Sequence, residues 1–322
     1  MSNQLFRVHL KGDFSRDDIN LLKSLVEQDI LITSGALPEH GEHSILVGGS
    51  FSREEVSGFS NLKSIIIPWA GVPASTLETV RANPQISLHN IHHNSVSASE
   101  MAVTLMLAAA KRILPADKAL RQNDWTPRYK PEGILIDKAK VLVIGWGAIG
   151  KRIGKICIAF GAEVSAISRT ASGNSFPPES LHSLLPETDI LFLSVPSTPK
   201  TIGLIGEREL KLLKSSSILV NISRSNVVNE KALYESLKGR EIGAAGLDVW
   251  YNYPKSESAR VNTEPSNYPF NTLSNVVMSP HRGGAFGIEE LEIRRIQELA
   301  ILIQNLYRGE ISSGRVNIIE GY

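Results

Sequence analysis

Residues 140–154 read KVLVIGWGAIGKRIG, and the fold turns on how this stretch is understood. Lys140 to Ile144 form an apolar strand pattern, and glycines follow at positions 145, 147 and 150. The G-x-G-x-x-G spacing alone is a weak signal. Its setting makes it strong: a strand precedes it, a helical pattern opens on it, and a second strand, EVSAIS, ends at Ser168. Gly145 permits the tight turn, Gly147 lets a pyrophosphate approach the backbone, and Gly150 lets helix and strand close up. The helix start, with Ala148 and Ile149 in its first turn, offers free N–H groups and a positive dipole end to phosphate. The stretch therefore predicts a dinucleotide site.

Binders of the unphosphorylated dinucleotide place Asp or Glu at the end of the second strand, about 20 residues on, to take the ribose 2′-OH. Here that position reads Ser168, Arg169, Thr170. No carboxylate is present to repel a 2′-phosphate, and a guanidinium and two hydroxyls can bind one through charge-assisted hydrogen bonds. The expected cofactor is NADP(H), with NAD the lesser partner.

On both sides of this stretch, strand and helix patterns alternate. Before residue 91 come LFRVHL, ILITSG, SILVGG, SIIIPWAG and ISLHN. Ser15 with Asp18, and Ser52 with Glu55, have the spacing of a helix capping box. Ser97 with Glu100 has it too, ahead of the apolar run MAVTLMLAAA. From residue 140 on, KVLVIG, EVSAIS, DILFLS, SSILVNI, IGAAGLDV and NVVMSP are short and apolar on both faces, as buried parallel strands are. A helical pattern over 286–308 has acids early and Arg308 late. The segment 254–271, rich in Pro, Ser and Asn, is long enough to be functional or mobile.

The bulk numbers narrow the class. The 322 residues allow two ordinary domains, and 42% hydrophobic with 21% charged residues is normal for a soluble globular chain. A net charge of +1 gives no push toward nucleic acid or anionic membrane. The apolar run 101–110 falls short of the ~20 residues a membrane span takes. The opening MSNQLFRVHLKGDF lacks the pattern of a signal peptide. The lone cysteine, Cys157, forms no intrachain disulfide, which fits a reducing cytosol. The expectation is a cytoplasmic protein with neither nucleic-acid nor membrane partners.

Six further segments point to a family. These are WAGVP (69–73), NSVSASE (94–100), VPSTPKTIGLI (195–205), LVNISRSNVVNEKAL (219–233), GLDVW (246–250) and SPHRGG (279–284). In this order they resemble the D-isomer-specific 2-hydroxyacid dehydrogenases over nearly the whole chain. Ser225 departs from that pattern, where glycine is usual. The resemblance implies an α/β protein of two doubly wound parallel-sheet domains, with a Rossmann-type cofactor domain inserted in a flavodoxin-like substrate domain. Residues 1–93 would open the substrate domain, 94–284 form the cofactor domain and 285–322 return, with the ligands in a cleft between domains. Relatives are usually homodimers built through the cofactor domain, here expected to use the helix near Ser97 and the arm QNDWTPRY.

The resemblance also assigns roles. Arg224 matches the arginine that grips carboxylate and keto oxygen, and His281 matches the general acid, apt because free imidazole titrates near pH 6.5. Asp248 matches the acceptor of the nicotinamide carboxamide. Further cofactor contacts are implied at Val195, Pro196, Thr201, Ile222, Ser223 and Gly283, and substrate contacts at Trp69, Ala70, Gly71 and Val72. The glutamate that usually supports the histidine lies five residues after the aspartate; here that residue is Tyr253. A phenol can orient an imidazole but cannot stabilise imidazolium as a carboxylate does. Tyr253 is expected to replace the glutamate, with Glu264 a second candidate, and reduction to decline from nearer pH ~6.5 than at a glutamate-supported site.

The reading is therefore an NADP-preferring reductase of a small 2-oxo acid, of glyoxylate or hydroxypyruvate type or bulkier. Two alternatives stand beside it: a dinucleotide-binding sensor with little turnover, and a formate-type dehydrogenase. Arg282 is expected either to attract a second anionic group of the substrate or, more simply, to pair with a nearby acid. HNIHH (89–93) lacks metal-ligand spacing and any accompanying acid or cysteine, so no metal is expected, and His93 is read as lining the cleft mouth.

Overall fold

A computed structural model describes residues 6–12, 14–130, 132–169, 173–284, 287–310 and 314–321. The chain divides into two compact units, Met1–Asn94 with Ala285–Tyr322, and Ser95–Gly284.

The first unit holds strands β1 (Phe6–Lys11), β2 (Ile30–Gly35), β3 (Ile45–Val47), β4 (Ser64–Ile67) and β5 (Ser87–Asn90). They pair in parallel in the order β2-β1-β3-β4-β5, one of the two common doubly wound orders. Successive residues of β4 serve opposite faces: Ile66 joins one buried cluster, Ile65 and Ile67 the other. Helices α1 (Arg16–Leu25) and α2 (Arg53–Ser57) open on complete capping boxes, Ser15 with Asp18 and Ser52 with Glu55. α3 (Ala74–Arg81) follows β4. The chain's last helix, Glu289–Arg308, has acids at 289, 290 and 292 and Arg308 in its final turn, complementing its dipole.

The second unit begins with α4 (Ser95–Ala110), α5 (Ile113–Leu120) and α6 (Thr126–Tyr129). Its strands are β6 (Lys140–Ile144), β7 (Glu163–Ile167), β8 (Ser175–Phe176), β9 (Ile190–Leu193), β10 (Ile218–Asn221), β11 (Ala244–Leu247) and β12 (Val276–Met278). They run parallel in the order β12-β11-β10-β9-β6-β7-β8. The order reverses between β6 and β9, the switch point where such sheets bind ligands beyond their carboxyl edge. Leu142 and Ile144 face one buried cluster, Val141 and Val143 the other, so apolar residues line both faces of β6. α7 (Ala148–Ala159) buries Gly150, Ile153, Gly154 and Cys157, a stripe at helical spacing.

Each strand expected from the sequence is present; the two-residue edge strand β8 was not expected. The capping box at Ser97 and Glu100 does not form, because α4 already starts at Ser95 and Ser97 lies inside its first turn. Serines at 95, 97 and 99 all lie near this helix start, and spacing alone does not choose among them. No helix among the described residues is long and apolar enough to cross a membrane.

Candidate active site

The turn after β6 is built by removing side chains. Gly145 has φ 98°, and a Cβ there would lie 2.6 Å from the Ser194 carbonyl oxygen. A Cβ on Gly150 would lie 1.9 Å from the Gly145 carbonyl oxygen, so helix and turn close only over glycine. Gly147 differs: a Cβ there would meet nothing within 4 Å, and α7 has no side-chain cap. The helix start thus has uncapped N–H groups beneath open space, a fit for a pyrophosphate. Ser194 was not anticipated; its hydroxyl donates to the Gly145 carbonyl at 2.8 Å and steadies the turn. A serine at a strand end carries no sequence signal for that task.

Arg224 sits just past β10, on a turn held by Asn221. The buried Asn221 Oδ1 accepts from the Ser223 N–H (3.0 Å) and hydroxyl (2.7 Å), and its Nδ2 donates to the Arg224 carbonyl at 3.0 Å. Arg224 itself is exposed, and its Nη1 donates to the Ser223 carbonyl at 2.7 Å. No acid pairs with its guanidinium among the described residues. Asn221 was also missed; the N-x-S pattern at a strand end was its available signal.

The turn after β12 is built the opposite way, around a carboxylate. Asp248 is 1% exposed. It accepts from the Ser279 hydroxyl, from the Arg282 N–H at 2.8 Å and from the Gly283 N–H at 2.7 Å. These bonds hold His281 at φ 56°, a left-handed conformation that costs a non-glycine residue on the order of 1–3 kcal/mol. Trp250 braces the same turn, its Nε1 donating to the Ser279 carbonyl at 2.7 Å. Trp250 is buried and packs edge-on against Phe270.

The His281 Nδ1 lies 3.0 Å from the Tyr253 hydroxyl, whose oxygen also accepts the Trp250 N–H at 3.2 Å. Glu264 is exposed and makes no contact with the imidazole. Partial desolvation of the exposed His281 ring by its neighbours lowers its pKa below the ordinary value; Asp248 opposes that shift, and the Arg224 charge adds to it. The Arg224 charge also reaches Tyr253, so the guanidinium, the phenol and the imidazole share one neighbourhood. Arg282 is spent differently. Its backbone N–H is tied to Asp248, and the salt bridge expected for its exposed side chain does not form among the described residues.

The other candidates fall on carboxyl-edge loops of their own sheets. In the segment after β9, Thr201 Oγ1 donates to the Pro196 carbonyl at 2.6 Å and accepts the Thr198 N–H at 2.8 Å, with Val195 packed on the core. Ile222 and Ser223 are buried beside Arg224. Ser168 and Arg169 follow β7; Thr170 lies outside the described residues. In the first unit, Trp69, Ala70, Gly71 and Val72 lie on the half-buried loop from β4 to α3, where the Ala70 carbonyl accepts from Asn90 Nδ2 at 2.7 Å. His93, read from the sequence as lining a cleft mouth, is buried at 8% exposure, and burial takes its pKa down to about 4. Among the described residues no cluster of His, Cys, Asp or Glu is arranged to hold a metal ion. The 254–271 segment is pinned by Glu230, which accepts from the Ser266 hydroxyl and the Asn267 N–H.

Comparison with known proteins follows this geometry. Residues 103–283 match the family model for the D-isomer specific 2-hydroxyacid dehydrogenase, NAD binding domain. The chain belongs to that family. It is 30% identical to the D-3-phosphoglycerate dehydrogenase of Methanocaldococcus jannaschii over 98% of this chain and 60% of that one. It is 34% identical to the glyoxylate reductase of Thermococcus gammatolerans over 69% of this chain and 66% of that one. The chain thus spans less than two thirds of these relatives' length. A D-isomer specific 2-hydroxyacid dehydrogenase from Xanthobacter autotrophicus, solved with NADPH and MES, shares the fold with a TM-score of 0.80 at 21% identity, covering 98% of this chain and 99% of that one.

Proposed function

We propose that the chain is an NADP(H)-preferring oxidoreductase that interconverts small 2-oxo acids and 2-hydroxy acids. One observation carries this reading: Arg224 and His281 are both exposed on turns that leave β10 and β12 at the carboxyl edge of the same parallel sheet. Arg224 grips the substrate carboxylate and keto oxygen with its planar fork and fixes the carbonyl for attack. His281 holds the proton destined for that oxygen. When bound, the reduced nicotinamide supplies the hydride.

The Gly145–Gly150 turn, with Ala148 and Ile149, would hold the pyrophosphate. Val195, Pro196, Thr201, Ile222, Ser223 and Gly283 are candidate cofactor contacts. Asp248 Oδ2 accepts one bond from the described residues and has room for a carboxamide donor. Trp69, Ala70, Gly71 and Val72 remain candidate substrate contacts because their loop leaves the carboxyl edge of a parallel sheet. The absence of an acid at Ser168 and Arg169 supports NADP(H), as does the NADPH held by the Xanthobacter relative. The name glyoxylate reductase favours a small 2-oxo acid of glyoxylate type, and the name D-3-phosphoglycerate dehydrogenase a phosphorylated three-carbon one.

The test is oxidation of NADPH and of NADH by the purified protein against a panel of 2-oxo acids. Turnover with higher kcat/KM for NADPH is expected. Equal or better use of NADH defeats the cofactor preference. Nucleotide binding without turnover favours a sensor, and reduction of NADP by formate favours the formate-type reading.

A second copy of the chain covers the face formed by α5 and α6 in this proposal. Neither helix buries a residue, while Ile113, Leu114, Leu120, Trp125, Tyr129 and Leu135 are all exposed. Sedimentation as a monomer at micromolar concentration would remove this part of the reading.

A further inference from the structure

We infer that Tyr253 is the proton reservoir of the site: it fixes the Nε2–H tautomer of a neutral His281 and passes its own proton to Nδ1 as Nε2 gives one up. This deepens the oxidoreductase reading and rests on it. Two observations and their consequence carry the inference. The Tyr253 oxygen already accepts the Trp250 N–H, so its hydroxyl proton is free to point elsewhere. Among the described residues its one acceptor is His281 Nδ1, at 3.0 Å. A donor at Nδ1 leaves the imidazole proton on Nε2, the nitrogen away from Tyr253. The alternative, Nδ1–H donating to the phenol, makes the Tyr253 oxygen a double acceptor and leaves its hydroxyl without a protein partner.

The charged groups that reach His281 agree with a neutral ring. Desolvation and Arg224 disfavour imidazolium, and only Asp248 favours it. Asp248 in turn is engaged by Ser279, Arg282 and Gly283 rather than by the ring. Burial also raises the Tyr253 pKa above its ordinary value, so the phenol keeps its proton at working pH.

The step balances. As the carbonyl carbon receives hydride, its π pair moves to oxygen. The Nε2 proton goes to that oxygen, and the Tyr253 proton goes to Nδ1. The imidazole ends neutral with its tautomer reversed, and the phenolate is left facing the Trp250 N–H and the Arg224 charge. Tyr253 is 45% exposed, so solvent can reprotonate it. Even with its pKa raised by burial, the phenolate is a far weaker base than the alkoxide being protonated, so the transfer runs downhill. Tyr253 acts through His281 and is a positioning residue, not a group that touches substrate.

Two readouts test this. The first needs no turnover: ¹⁵N shifts of histidine-labelled protein at pH ~8, with His281 assigned through His281→Gln. Wild type should show Nδ1 as an unprotonated acceptor and Nε2 protonated, and Tyr253→Phe should lose that preference. The second is the pH profile of 2-oxo acid reduction. In place of the decline from pH ~6.5 expected from the sequence, which took the phenol only to orient the ring, it should stay flat from about pH 6.5 to about pH 9 in wild type, whereas Tyr253→Phe should be about 100-fold slower at pH ~8 and fall tenfold per unit above the imidazole pKa. Tyr253→Glu should restore much of the rate through imidazolium, with its own falling limb. A protonated Nδ1 in the neutral wild-type ring overturns the inference. So does a wild-type rate that falls tenfold per unit from about pH 6.5, or a Phe variant with an unchanged profile. If no 2-oxo acid is turned over, the oxidoreductase reading fails, and the tautomer still decides the inference about Tyr253.

Discussion

Two turns of the second unit make an instructive pair. Each follows a parallel strand at the carboxyl edge of the same sheet, β6 in one case and β12 in the other. The Gly145–Gly150 turn works by absence: two of its glycines admit no Cβ, and the third leaves space open above an uncapped helix. The Ser279–Gly283 turn works by presence: a buried carboxylate gathers three donors around a histidine at positive φ. The first turn leaves N–H groups free for a ligand, while the second spends its N–H groups so that one side chain is aimed. A turn that binds with its backbone must be stripped, and a turn that presents a side chain must be clamped.

The clamp should give the largest effect when broken. Asp248→Ala strands two backbone N–H groups and a hydroxyl in a buried place, at roughly 1–3 kcal/mol each where water cannot replace the acid. We expect a loss on the order of 4 kcal/mol in denaturant unfolding, together with loss of 2-oxo acid reduction. Asp248→Asn keeps the shape but sets an amide donor against at least one N–H, so it should fall between Ala and wild type. An Asp248→Ala protein with wild-type stability would mean that the turn holds His281 without its acid, and the contrast between the turns would go with it.

The stripped turn should separate stability from binding. Gly150→Ala forces a methyl group toward the Gly145 carbonyl, and overpacking of this kind costs about 1–3 kcal/mol. Gly147→Ala meets no protein atom, so melting should be unchanged while nucleotide affinity, followed by NADPH fluorescence, falls at least tenfold. If Gly147→Ala bound NADPH like wild type, the open space over α7 would not be the phosphate site.

The same contrast explains what could be read from the sequence. A turn made by deletion writes itself locally: glycine spacing, the strand before it and the helix after it lie within residues 140–154. The strands were legible for a related reason, since runs apolar on both faces are what buried parallel strands require. A turn made by clamping is written across distant residues. Asp248 lies 31 positions from Ser279 and 35 from Gly283, and no local pattern says that they meet. Tyr253 could be picked out only by its offset from Asp248 in a familiar motif. Its bond to the Trp250 N–H, which leaves its proton for His281, had no signal at all. The start of α4 shows the limit at short range, where closely spaced serines leave the cap undecided.

A smaller effect tests whether clamping also operates at Arg224. Asn221 holds that turn with one acceptor and one donor, both spent on residues 223 and 224. Asn221→Ala leaves the guanidinium in place but frees its backbone, so the cost should appear mainly in substrate binding. We expect about a tenfold rise in KM for the 2-oxo acid, or ~1.4 kcal/mol, with NADPH affinity little changed. Asn221→Asp keeps the bonds to Ser223 and loses only the donor to the Arg224 carbonyl, so it should recover part of the KM. If Asn221→Ala lowered kcat and left KM alone, the turn would be shaping the transition state rather than presenting an anchor, and Arg224 would belong with His281 in its manner of working.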